Sequence, residues 1–241
     1  MEIKKHIPNI ITLLNLLSGC VALIFAIDNN FEMAFFFVSL GIFLDFFDGF
    51  FARLLNVSSP LGLQLDSLAD MVTSGVVPGF VMFKLLSETS EAGSWMCLPY
   101  VGFIITLGSC YRLANFNIDT RQTDSFIGLP TPANCLFILS LPLIISQSDS
   151  LLVQEILLNP YVLIVISLLS AYILNAEIPL FSLKIKKFSL KKYTLQILFL
   201  AVSAVLLLVF QYLGVALVIA FYVLLSVLVN QFKKNQVSQN G

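Results

Sequence analysis

Charge is what this sequence has least of. Only 11% of its 241 residues are Asp, Glu, Lys or Arg, against about 25% in an ordinary soluble domain. Hydrophobic residues make up 58%, and the mean hydropathy is +0.94. These values exclude a soluble globular domain and point to a polytopic membrane protein, one domain over 1–241. Histidine is nearly missing. The single one, His6, sits beside Lys4 and Lys5 and reads as a solvated or interfacial residue, which excludes a histidine-ligated metal site. The four cysteines (Cys20, Cys97, Cys110, Cys135) lie in apolar segments without C-x-x-C spacing, so neither a zinc site nor a disulfide framework is indicated. Internal repeats and low-complexity segments are lacking too. A net charge of −1 gives no footprint for nucleic acid.

What is there is apolar run after apolar run. Spans of about 17–25 residues fit at 8–27, 31–55, 61–86, 97–116, 131–147, 158–175, 193–213 and 214–232, an all-α bundle of about eight membrane helices. The fifth and sixth are short or punctuated, which leaves six or seven open. The basic start and first apolar run resemble a secretory signal. The length of that run, the spans that follow and the lack of a small-x-small cleavage site make it the first membrane helix instead.

The few basic residues are segregated. With the N-terminus inside, the cytoplasmic segments hold Lys4, Lys5, Arg53, Arg112, Arg121, Lys184, Lys186, Lys187, Lys191, Lys192, Lys233 and Lys234. That is every basic residue but Lys84, the bias expected of inside loops. The opposite loops hold Asp28, Glu32, Glu88, Glu91, Asp149 and Glu155. Both termini, including a short tail at 233–241, are then expected in the cytoplasm. Lys84 is expected to snorkel to the outer surface.

Against this background four acids stand out: Asp45, Asp48, Asp66 and Asp70, flanked by FFFVSLGIFL and MVTSGVVPGFVMF. A carboxylate near a membrane-helix centre costs about 2.5–3.5 kcal/mol on insertion scales, so these need a compensating partner. No nearby run of lysines neutralises them. A divalent cation does, and hard cations prefer oxygen ligands. Asp45 and Asp48 are three apart, Asp66 and Asp70 four apart, so each pair shares a helix face. Asn56 to Pro60 reads as a turn, with Ser59 as N-cap and Pro60 at the first helical position. Folded there into an antiparallel hairpin over 31–86, the two pairs meet at one depth, roughly 8–17 Å from the membrane edge. Gly49, Ala52 and Gly62 recur at helical spacing beside them and leave room for a ligand.

Written out, the cluster is D-x-x-D-G-x-x-A-R-x8-G-x-x-x-D-x-x-x-D, formed by Asp45, Asp48, Gly49, Ala52, Arg53, Gly62, Asp66 and Asp70. At every fixed position it resembles the signature of the CDP-alcohol phosphatidyltransferases. The resemblance implies a metal-dependent transfer of a phosphatidyl group from a CDP-linked lipid to a hydroxyl, with release of CMP. It implies that Asp45, Asp48, Asp66 and Asp70 hold divalent cations, Mg²⁺ or Mn²⁺ and two ions. Asp48, Gly49, Ala52, Arg53 and Gly62 would then contact the CDP phosphates, and Asp70 would be the general base. It also implies a homodimer. The chemistry agrees: divalent ions hold phosphates and stabilise both oxygens of the displacement, and a guanidinium at the rim pairs with phosphate.

Three further stretches, IPNIITLLNLLSG at 7–19, LDSLADMVTSGVVPG at 65–79 and YRLANFNIDTRQTDSFIGLPTPAN at 111–134, resemble the bacterial and archaeal phosphatidylserine synthase branch. EIPLFSLKIKKFSL at 177–190 is a weaker match. Asn115 stands where relatives commonly carry a second basic residue. This branch implies CDP-diacylglycerol and L-serine as substrates in phospholipid synthesis, among the membrane lipids of the bacterial cytoplasmic membrane. Stretch 111–134 would be the acceptor-side loop, with Arg112, Asn117 and Arg121 as acceptor-binding residues. The alternatives are the same chemistry on glycerol 3-phosphate or inositol phosphate, or, from another class, a cation transporter or a non-catalytic lipid-binding protein. A transporter is expected to spread ionisable residues along a path, whereas here they gather at one depth.

Overall fold

The computed structural model describes residues 3–89, 97–119, 127–181 and 194–239, with side chains described from His6 and up to Gln231. Helix follows helix in the order α1 (Ile3–Ile27), α2 (Phe31–Leu54), α3 (Pro60–Asp70), a π-helical turn (Met71–Val76), α4 (Val77–Thr89), a 3-10 segment (Leu98–Phe103), α5 (Ile104–Ile118), α6 (Thr131–Gln147), α7 (Leu151–Leu157), α8 (Pro160–Asn175) and α9 (Thr194–Gln239). The only β-type pairing among the described residues is a single bridge from Ile127 to Pro179.

Local chemistry sets the boundaries. Asn29 and Asn56 take positive φ (60° and 53°) at the turns before α2 and α3, a conformation asparagine tolerates better than most residues. Asn30 caps α2 by accepting from Met33 N, and Ser59 caps α3 by accepting from Gly62 N at 3.0 Å, with Pro60 next. That is the start expected from the sequence. Asn159 caps α8 in the same way. Lys84 does more than snorkel: its Nζ donates to the carbonyl of Ile27 at the C-terminal end of α1, where a helix favours a cation.

His6–Ile27, Phe31–Leu54, Pro60–Thr89 and Thr194–Gln231 are each long and apolar enough to cross a membrane. Leu151–Leu157 and Pro160–Asn175, bent by 63°, make a fifth if taken as one span. Helix α6 is apolar but shorter. Helix α9 is not straight. Gln211 has φ 48° and ψ −117°, and a Cβ built on Gly214 would overlap the carbonyl oxygen of Leu206. Phe199 stacks on Phe221 at 5.7 Å. Both pairs are centred on Phe210, so the chain doubles back there as a helical hairpin. The helix backbone also continues through the expected tail as far as Gln239.

The bundle is polarised along its length. At one end Ala22, Ala26, Ala34, Val38, Val81 and Met82 form a dry core. Small residues let α1 and α2 approach closely, which is how membrane helices gain packing energy where lipid is as apolar as protein. At the other end the buried residues of the same helices turn polar: Thr12 and Asn15 on α1, Asp48 on α2, Asp70 at the end of α3, and Thr73 and Ser74 in the π-turn. Helix α1 packs against both α2 and α3, whose backbones make little contact with each other. The polar ends of three helices therefore enclose a cleft.

Candidate active site

The cleft has a volume of about 670 Å³ and is lined by α1, α2, α3, the turn between the last two and Phe116 of α5. Asp45, Asp48 and Asp66 face it. One carboxylate oxygen from each lies within 4.8 Å of the others, and Asp45 and Asp66 are within hydrogen-bond reach of one another. The three-residue spacing on α2 stacks two carboxylates on one face, and α3 brings Asp66 to meet them. The only basic residue in the lining, among the described residues, is Arg53. Three acids against one cation in apolar surroundings leave an excess of negative charge that side chains do not balance. The donors are all hard oxygens at bridging distance, so a divalent cation of the Mg²⁺ or Mn²⁺ class fits them.

Asp70 stands apart from this trio. It is 8% exposed, one helical turn beyond Asp66, and its Oδ1 accepts from Asn15 Nδ2 at 3.1 Å. It lies within electrostatic reach of Asp45 and Asp48. The π-turn begins immediately after it; such wide turns within a helix recur at functional sites.

Gly49, Ala52, Arg53 and Gly62 all line the cleft, as the motif implies. Arg53 folds back across Gly49, with Nη1 3.4 Å from where a Cβ would stand. The guanidinium is thereby held over the rim of the aspartate cluster, where it interacts with Asp48. A Cβ at Gly62 would crowd Ser59 Oγ and Asn9 Oδ1, so glycine lets α1 and its Asn9 reach the start of α3.

The residues expected on the acceptor side divide. Asn117 joins the site region: its Nδ2 donates to Ser67 Oγ at 2.8 Å, next to Asp66, while its Oδ1 is buried with no partner. Neighbouring Phe116 lines the cleft. Arg112, 7% exposed, lines a different cavity of about 340 Å³ with Asn115, Asp119, Asn175 and Glu177. The two cavities share no lining residue. Arg112 Nη1 donates to the carbonyls of Ile127 (2.6 Å) and Leu174 (2.8 Å), tying α5 to the segment before α6 and to the end of α8. Gly128, at φ 75°, sits against this guanidinium. Arg121 lies outside the described residues.

Sequence reasoning missed the contribution of α1. Thr12 Oγ1 donates to Asp48 Oδ2 at 2.5 Å, Asn15 binds Asp70, and Pro8 and Asn9 line the cleft. The available signal was Thr12 and Asn15 three apart in an otherwise apolar helix, one polar face with no other stated purpose.

The sequence model of the CDP-alcohol phosphatidyltransferases matches residues 5–172. Over 142 residues the chain is 39% identical to a CDP-diacylglycerol–serine O-phosphatidyltransferase of Bacillus subtilis, covering 56% of this chain and 76% of that protein. A Helicobacter pylori protein of the same name is 31% identical over 199 residues, covering 80% of this chain and 79% of its own length. One from Saccharomyces cerevisiae is 32% identical over 152 residues, covering 56% and 53%. With the motif, the cleft and this match in agreement, the chain belongs to the CDP-alcohol phosphatidyltransferase family.

Proposed function

We propose that this chain transfers the phosphatidyl group of CDP-diacylglycerol to the hydroxyl of L-serine, giving phosphatidylserine and CMP in phospholipid synthesis. The observation that carries the reading is the gathering of Asp45, Asp48 and Asp66 within 4.8 Å in a cleft at the polar end of an apolar bundle. The names of relatives in bacteria and yeast support serine as the acceptor.

Asp45, Asp48 and Asp66 would hold the divalent ions, with Asp70 as the remaining acid of the set. When bound, such ions neutralise the pyrophosphate and polarise phosphorus. Arg53 pairs with a phosphate oxygen at the rim; Gly49, Ala52 and Gly62 leave space for the nucleotide. Asp70 takes the proton of the serine hydroxyl. The serine oxygen bonds to phosphorus as the phosphorus–oxygen bond to CMP breaks, and CMP leaves with the electron pair. The unused Oδ1 of Asn117 is an acceptor suited to the ammonium group of serine. Arg112 acts as a strut that holds the backbone beside the site.

The finer architecture belongs to the same reading. Eight membrane segments follow if the 3-10 segment with α5, α6, α8 and each arm of the α9 hairpin all cross. Both termini and the α2–α3 turn then face the cytoplasm of a bacterial cell, where serine is found. Two ions and a homodimer complete it, on the family resemblance. The test is purified protein with CDP-diacylglycerol, a divalent cation and a panel of serine, glycerol 3-phosphate and inositol phosphate, with lipid products identified by mass. Metal-dependent phosphatidylserine and CMP are expected. A product formed only from a phosphorylated acceptor would move the chain to another branch, and no CMP release from any acceptor would end the enzyme reading.

A further inference from the structure

A general base works only if its carboxylate is aimed, and aim here comes from two other helices' worth of packing. Asn15 on α1 is fully buried, and its Nδ2 donates to Asp70 Oδ1. The other end of the amide is also engaged. Thr73 Oγ1 lies 2.9 Å from Asn15 Oδ1 and 3.1 Å from the Asn15 backbone carbonyl. An amide has one donor end and one acceptor end. A hydroxyl donating to the oxygen and a carboxylate accepting from the NH₂ group therefore favour the same orientation of the amide. Thr73 is fully buried in the π-turn that follows Asp70.

The surroundings lock this arrangement. A Cβ at Gly19 on α1 would overlap Thr73 Oγ1, and one at Gly41 on α2 would stand 2.8 Å from both Asn15 Oδ1 and Thr73 Cγ2. Three elements thus close on the pair with no spare room.

We propose that Thr73 and Asn15 form a positioning relay that fixes the orientation of the Asp70 carboxylate. The inference rests on Asp70 being the general base. The Thr73 hydroxyl holds the amide oxygen, the amide NH₂ holds Asp70 Oδ1, and Oδ2 is left as the oxygen that receives the proton of the acceptor. Neither Asn15 nor Thr73 lines the cleft. With the hydroxyl gone, the amide oxygen loses its donor and the amide is held less firmly against Asp70.

The test compares Thr73→Val, which keeps the shape and removes the hydroxyl, with Thr73→Ser, which keeps the hydroxyl. Full-length protein is assayed with CDP-diacylglycerol, serine and Mn²⁺, and CDP-diacylglycerol binding is measured separately. Thr73→Val is expected to lower kcat about ten- to a hundredfold, the scale of a misplaced catalytic group. KM for serine and lipid affinity should stay within about twofold, and Thr73→Ser should recover most of the loss. A wild-type kcat in Thr73→Val, or a Thr73→Ser variant equally slow, overturns the relay. If Thr73→Val does not insert, Asn15→Leu, of similar volume, is read by the same split. Asp70→Asn is run alongside. If it retains transfer, the base assignment has failed; if it is inactive while Thr73→Val is unimpaired, only the relay has failed.

Discussion

Thr12 on α1 and Asp48 on α2 are joined by a 2.5 Å hydrogen bond between hydroxyl and carboxylate. The same hydroxyl lies 3.0 Å from the Pro8 carbonyl, but one proton serves one acceptor at a time and the carboxylate is the closer. The bond holds the Asp48 carboxylate in place beside the cluster. Partners of this kind orient metal ligands, and their loss weakens metal binding about 10–100-fold. Thr12→Val should therefore raise the Mn²⁺ concentration for half-maximal activity by about tenfold or more. A metal titration at saturating substrate checks this, and an unchanged midpoint would remove Thr12 from the site.

Asp45→Asn, Asp48→Asn and Asp66→Asn should each abolish metal-dependent CMP release while the protein still inserts. Each substitution takes one charged ligand from three that meet within 4.8 Å. Mn²⁺ binding, followed by electron paramagnetic resonance on purified protein, should weaken in parallel. Normal turnover in any one variant would sink the assignment of that residue.

Arg112→Ala tests strut against ligand. Its Nη1 serves two backbone carbonyls, and each one orphaned in the interior costs about 1–3 kcal/mol. A drop in the thermal midpoint in detergent is expected, with Arg112→Lys recovering part of it because an ammonium still offers donors to the carbonyls. A variant of normal stability whose KM for serine rises would show instead that Arg112 holds the serine carboxylate.

Asn117→Ala should raise KM for serine several-fold with little change in kcat, the pattern of an interaction present in ground and transition states alike. Binding of CDP-diacylglycerol should be unaffected. The opposite result, weaker lipid binding at constant KM for serine, would move Asn117 to the nucleotide side.

Cysteine introduced at Ser58, in a background lacking Cys20, Cys97, Cys110 and Cys135, should be labelled from the cytoplasmic side. Ser58 lines the mouth of the cleft, so this experiment also locates the entrance for the acceptor. Labelling only from the outside would reverse the orientation.

The sequence by itself determined the solvent and the chemistry. Shortage of charge and long apolar runs require a membrane, because a backbone without water must close its hydrogen bonds within helices. Four acids in that setting require a cation, and their spacing of three and four puts them on helix faces. Ser59 and Pro60 mark the start of α3 through purely local bonds. Tertiary structure decided what local pattern leaves open. Helix α1 packs on both α2 and α3; across the cleft three of the four aspartates gather, while Asp70 meets Asn15 of α1. The reversal at Gln211 sets the path of the last helix. Arg112 reads as an acceptor ligand along the chain; only the fold brings carbonyls 15 and 62 residues away in sequence onto its Nη1. Periodicity reports which face a residue occupies. Which partner waits at that face depends on contacts between distant segments, and those exist only once the helices have packed.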